Sequence, residues 1–96
     1  MSQEDKEHAE WAEETLRAMT LEERAGQVLM PETSGILMHE ESEQYARARR
    51  AIQELGVGGF IIYNGDALTT AALTNRLQRL ASIPLIFASD FEGVPL

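Results

Sequence analysis

Residues 55–66 read Leu-Gly-Val-Gly-Gly-Phe-Ile-Ile-Tyr-Asn-Gly-Asp, and this stretch decides the fold class. From Val57 to Tyr63 the run is β-branched and aromatic without polar alternation, the pattern of a parallel strand buried on both faces. On its N-terminal side Tyr45, Ala48, Ile52 and Leu55 recur at spacings of three, four and three, which marks one face of a helix over residues 41–55. Gly56 ends that helix as a left-handed cap. On the C-terminal side Asn64-Gly65-Asp66 forms a turn, and Asp66 is the N-cap of a helix whose Leu73, Leu77 and Leu80 share a face. Ser82 and Pro84 stop it, and residues 84–88 (PLIFA) make another buried strand, with Ser89-Asp90-Phe91-Glu92-Gly93 at its carboxyl end. Helix, strand, helix and strand at these intervals are consecutive βα units of a parallel sheet.

Upstream, Thr20-Leu21-Glu22-Glu23 is a capping box, so a helix begins at Leu21 and presents Leu21, Ala25 and Val28 on one side. It leads to Val28-Leu29-Met30, ended by Pro31, which fits either helix or a short buried strand. Residues 31–40 read as a loop carrying an apolar plug, Ile36 to Met38. Residues 2–14 are polar and charge-dense, a frayed or helical lead-in anchored by Trp11, Leu16 and Met19, with Trp11 read as a packing residue.

Ninety-six residues have room for one core that buries somewhat more than about 60% of the unfolded surface. Hydrophobic residues at 44% and charged residues at 25% exclude a disordered chain. Cysteine is absent from the sequence, which excludes a disulfide scaffold, a thiol nucleophile and thiolate metal sites. The net charge is −8, and residues 1–41 hold all of the imbalance, with eleven acidic and three basic side chains against five of each in residues 42–96. That balance repels a phosphate backbone, and Arg47, Arg49 and Arg50 have no aromatic partners around them, so nucleic acid is not an expected partner. The first residues, MSQEDKEHAEW, have no apolar core of a signal peptide, and no apolar run approaches the roughly 20 residues that cross a bilayer. The expectation is a soluble, cytoplasmic protein with no membrane partner.

In a parallel α/β sheet the chemistry gathers where the strands end. The candidates by that rule are Asn64, Asp66, Asp90 and Glu92. Asp90 and Glu92, two residues apart on extended chain, lie roughly 6.5–7 Å apart at Cα, a spacing at which paired carboxylates can act as acid and base. The same spacing fits Asp90 bonded to loop amides with Glu92 in solvent, and spacing alone favours that second arrangement. The glycines at 56, 58 and 59 precede a strand and form a turn, not a phosphate loop. His8 and His39 have no ligand partners at helical spacing, and no serine stands in a nucleophile elbow, so neither a metal site nor a triad is expected.

Four blocks, residues 19–30 (MTLEERAGQVLM), 55–62 (LGVGGFII), 73–78 (LTNRLQ) and 83–93 (IPLIFASDFEG), resemble in order and spacing the start of the N-terminal domain of glycoside hydrolase family 3. The resemblance leaves only an acidic leader, residues 1–18, outside a partial catalytic domain at 19–96. It implies a TIM-type (β/α)8 barrel of parallel strands, with Val28 to Met30, Phe60 to Tyr63 and Leu85 to Ala88 as its first three strands. Asp90-Phe91-Glu92-Gly93 looks most like the β-N-acetylhexosaminidase branch, which implies that Asp90 binds sugar hydroxyls, with Glu92 in support, and is not the nucleophile. Where the family pattern continues with a second glycine this chain has Val94, which cannot take the positive φ that glycine permits. A barrel takes about 250 residues, so the implied product is an N-terminal fragment, inactive by itself. Its parent would cleave terminal O-glycosidic bonds by a retaining mechanism, with nucleophile and acid/base downstream, no metal and no cofactor. A non-catalytic βα module that associates through open sheet edges is the alternative, and a small enzyme built on Asp90 and Glu92 alone is a third.

Overall fold

A computed structural model describes residues 2–36 and 39–89. The lead-in is a helix, α1 (Gln3–Ala18), opened by a reciprocal capping box between Ser2 and Asp5. None of its residues is buried, and Trp11 is 53% exposed, so the expected anchoring role of Trp11 is corrected. The reason lies in the spacing: Trp11 and Leu16 are five positions apart, about 140° around the helix, and never form a stripe.

The second capping box forms as read, with the Glu23 amide donating to Thr20 Oγ1 at 3.1 Å and the Thr20 amide to Glu23 Oε1 at 3.0 Å. It starts α2 (Leu21–Gln27). The side carrying Leu21 and Val28 stands in water, at 82% and 80% exposure. Contact runs instead through Gly26, whose missing Cβ lets α2 approach the backbone of Leu55 and Gly56, and through Gln27, which donates to Gly56 O at 3.0 Å.

The first strand is displaced from its expected place at Val28 to Met30. Val28 caps α2, and the ladder is formed by β1 (Glu32–Thr33), inside what the sequence reads as a loop. The chain is already alongside its neighbour upstream, since the Gly58 amide donates to Leu29 O and the Ile61 amide to Pro31 O. Pro31 has no N–H to give back, so two-way pairing begins only after it.

Ser42 caps α3 (Glu43–Gln53), which buries Tyr45, Ala48 and Ile52. Leu55, expected on that face, lies beyond the helix end and is exposed. Gly56 turns the chain at φ 65°, as its cap position requires. The chain then enters β2 (Gly59–Ile62), α4 (Ala67–Leu80) and β3 (Ile86–Ser89). All three strands are parallel in the order β1-β2-β3, with Glu32 opposite Ile61, Thr33 opposite Ile62, and Gly59 to Ile62 opposite Ile86 to Ser89.

Helices α3 and α4 pack on one face of this sheet. Tyr45, Ala48 and Ile52 meet Leu73 and Leu77 over Phe60, with Val57 and Leu85 closing the lower end and Leu80 and Phe87 packed at the margin. Phe60 and Phe87, in register, stack with ring centroids 6.3 Å apart and planes 17° apart. Gln78 ties α4 to the start of β3, its Nε2 donating to Leu85 O at 2.8 Å while its Oε1 accepts from the Leu85 amide at 2.9 Å. The opposite face is uncovered: Ile86 is 67% exposed, Ala88 is exposed and Ile61 is half-buried. The expectation of strands buried on both faces is corrected: β2 buries Phe60 and Ile62 on the helix side, whereas in β3 only Phe87 is half-buried and the other three residues are exposed. The architecture is an α/β protein with an open, three-stranded parallel sheet.

Candidate functional site

The carboxyl ends of the strands form one rim, and its backbone is tightly knit. The Tyr63 amide donates to Thr33 O at 3.3 Å, and Thr70 Oγ1, one turn into α4, donates to Gly35 O at 3.0 Å. Gly35 and Gly65 touch backbone to backbone, with φ 105° at Gly65, so a side chain at either position would collide with the other loop. Thr33 and Ser34 are buried, and Ser34 Oγ accepts from the Ile36 amide at 3.2 Å. On the other side Ser89 Oγ donates to Ile62 O at 3.0 Å and fixes the end of β3 to β2.

Of the four sequence candidates, two are described. Asp66 caps α4: its Oδ1 accepts from the Thr69 amide at 2.8 Å and from Thr69 Oγ1 at 3.1 Å. Those bonds, the backbone one foremost, hold its carboxyl below the ordinary aspartate range. Asn64 Oδ1 accepts from the Gly65 amide at 2.9 Å and shapes the turn. Both are engaged in local structure. Asp90 and Glu92, with Val94, lie outside the described residues; Ser89 is the last described position before them.

A concavity of about 760 Å³ opens at this rim, lined by Tyr63, Asn64, Asp66, Thr70, Thr74 and Ser89 among others. A second, of about 360 Å³, adjoins it beside Ser34, His39, Ser42 and Asn64. The lining offers hydroxyls, amides and a carboxylate, groups that hydrogen-bond a polyhydroxylated molecule. His39 is occupied, its Nδ1 accepting from the Glu41 amide at 3.1 Å. Among the described residues no three His, Cys, Asp or Glu side chains are grouped to hold a metal ion. No helix among them is long and apolar enough to cross a membrane.

Sequence reading missed Gly35, Thr70 and Gln78. For Gln78 and Thr70 no local signal exists, because their partners lie across a turn or in the distant loop after β1. Gly35 stands in a mixed loop, where a glycine required by close approach looks like any turn glycine.

The chain matches no known protein-family model and no curated protein. The class that fold and rim define is accordingly an α/β protein with a polar rim at the carboxyl ends of an open parallel sheet.

Proposed function

We propose that the chain is one sector of a (β/α)8-barrel glycoside hydrolase of the family 3 type, and that the full-length protein removes terminal β-N-acetylhexosamine residues from carbohydrate by a retaining mechanism. The observation that carries this reading is the set of four family-like blocks, which coincide with successive pieces of one architecture: α2, β2, the body of α4, and β3 with its outgoing segment. The sheet geometry supports it. A strand order of 1-2-3 with both crossover helices on one face is the winding of a barrel wall, and the bare opposite face is where a barrel has its interior.

In this reading Asp90, the next residue in sequence after Ser89, supplies an acceptor pair for sugar hydroxyls, and Glu92 supports it. A carboxylate elsewhere in the full-length protein attacks the anomeric carbon while an acid protonates the departing oxygen; water then cleaves the glycosyl ester. The 96-residue chain by itself releases no sugar.

The test is chromophore release from an aryl N-acetyl-β-glucosaminide by the full-length protein and, separately, by residues 1–96. Turnover is expected only from the former, with kcat/KM lowered about 10- to 100-fold by Asp90→Asn through loss of charge-assisted hydrogen bonds. A full-length protein inert on every aryl β-glycoside overturns the reading, as does turnover by residues 1–96 alone that vanishes in Asp90→Asn or Glu92→Gln. The open face and edges also fit the second reading, a non-catalytic module that pairs with another chain. A well-defined oligomer of residues 1–96 with a cooperative thermal transition would favour it.

A further inference from the structure

We infer that Glu32 is a second substrate-binding carboxylate, an acceptor for a sugar hydroxyl at the barrel mouth; the inference rests on the glycosidase reading above. Residues in register on parallel strands share a face, and neighbours along a strand alternate. Phe60 and Phe87 face the helices, and so do Ile62 and buried Thr33 in the next row but one. Glu32, Ile61 and Ala88 therefore form one row on the uncovered face.

Glu32 is the only charged residue in β1, β2 or β3; its row mates are Ile61 and Ala88, and the remaining positions of that face are Gly59 and Ile86. None of the described residues gives its carboxylate a hydrogen bond or an ion pair. Closing a barrel over this face would take the charge out of water, which is unfavourable unless a polar group meets it. Its position names that group's location. Glu32 is one residue from the end of β1, at the rim where barrel enzymes hold substrate.

The carboxylate is also carried on a fixed element. Thr33, directly after it, accepts from the Tyr63 amide, and Gly35 is held by Thr70 and packed on Gly65. Backbone pinned this way presents its neighbouring side chain with little ordering cost on binding. Glu32 and Ala88 sit two strand spacings apart, about 9.5 Å, a span comparable with one sugar ring.

Glu32→Gln keeps the shape and removes the charge, so the test is steady-state kinetics of the full-length protein and this variant on aryl N-acetyl-β-glucosaminide and on its 3-, 4- and 6-deoxy analogues. The expected result is a KM raised about 10- to 100-fold with kcat changed less than about threefold. The penalty should shrink to within about twofold on the single analogue that lacks the hydroxyl held by Glu32. An unchanged KM overturns the inference, and so does an equal penalty on all three analogues, which would make Glu32 a structural partner of another side chain. A wild-type protein without activity on any of these substrates removes the reading beneath it, and the two failures are thereby distinguished.

Discussion

Replacing Gln78 tests whether α4 sets the start of β3. Its amide group bridges the turn at residues 81–85 with two hydrogen bonds to the backbone of Leu85, a residue only 6% exposed. In Gln78→Ala one N–H and one C=O lose their partners beside the core. At about 1–2 kcal/mol for each group so stranded, the cost is about 2–4 kcal/mol. Gln78→Glu refines the test. An ionised carboxylate still accepts from the Leu85 amide but sets its lone pairs against Leu85 O; a protonated one donates there and restores the pair. The introduced carboxyl thus has a folded pKa raised above its unfolded value of about 4.3. Its stabilising contribution is fully present below that value and is lost as the pH rises through the folded one. Urea unfolding of the protein, followed by far-UV circular dichroism, should place Gln78→Glu near wild type at pH 4 and near Gln78→Ala at pH 7, each compared with wild type at the same pH. Exchange of the Leu85 amide should quicken in Gln78→Ala. A loss below about 0.5 kcal/mol with that amide equally protected would refute the reasoning.

Three further expectations use the same unfolding assay. Leu77→Ala, at a fully buried position, should cost about 2–5 kcal/mol, whereas Leu68→Ala on the exposed side of the same helix should stay within about 0.5 kcal/mol. Gly65→Ala combines a φ of 105° with a Cβ only 2.5–3.0 Å from the backbone of Gly35 and Ile36, and should cost about 2 kcal/mol or more. Asp66→Asn keeps the cap, so stability at neutral pH should hardly move. The lowered pKa of Asp66 means that its contribution is present above the unfolded value and lost as the pH falls through the folded one, so wild type should lose more stability than the variant below about pH 4.

The elements legible in the sequence are those whose signals are local. The capping box at Thr20, the left-handed cap at Gly56 and the N-cap at Asp66 each need only neighbours within four residues, and all three stand as read. The stripe Tyr45, Ala48, Ile52 and the pair Leu73, Leu77 face the core as their spacing demands. Hydrophobicity leaves Val28 to Met30 open between helix and strand; the strand that the resemblance implies there forms instead at Glu32–Thr33, because pairing depends on which residues have an N–H to give, and Pro31 does not. Burial of β2 and β3 on both faces was over-read, since a continuous apolar run is equally suited to a face that another segment covers. In the candidate site the strand-end rule located the rim, yet it gave Asp66 and Asn64 more than the capping and turn bonds leave to them. The contacts that brace the rim, Thr70 to Gly35 O and Gly35 on Gly65, join residues about thirty apart and have no trace in local pattern.

The chain's single tryptophan sits on α1, half in water and outside the core, whereas Tyr45 lies buried beneath the guanidinium of Arg76. The intrinsic emission of residues 1–96 is consequently divided among three places, the third being Tyr63, half in water at the rim. Indole light reports the surroundings of the leader helix and stays nearly silent when the sheet melts, while the phenol of Tyr45 senses loss of the core. Any partner that settles on α1 would shift the indole band to the blue and leave the tyrosine signal untouched.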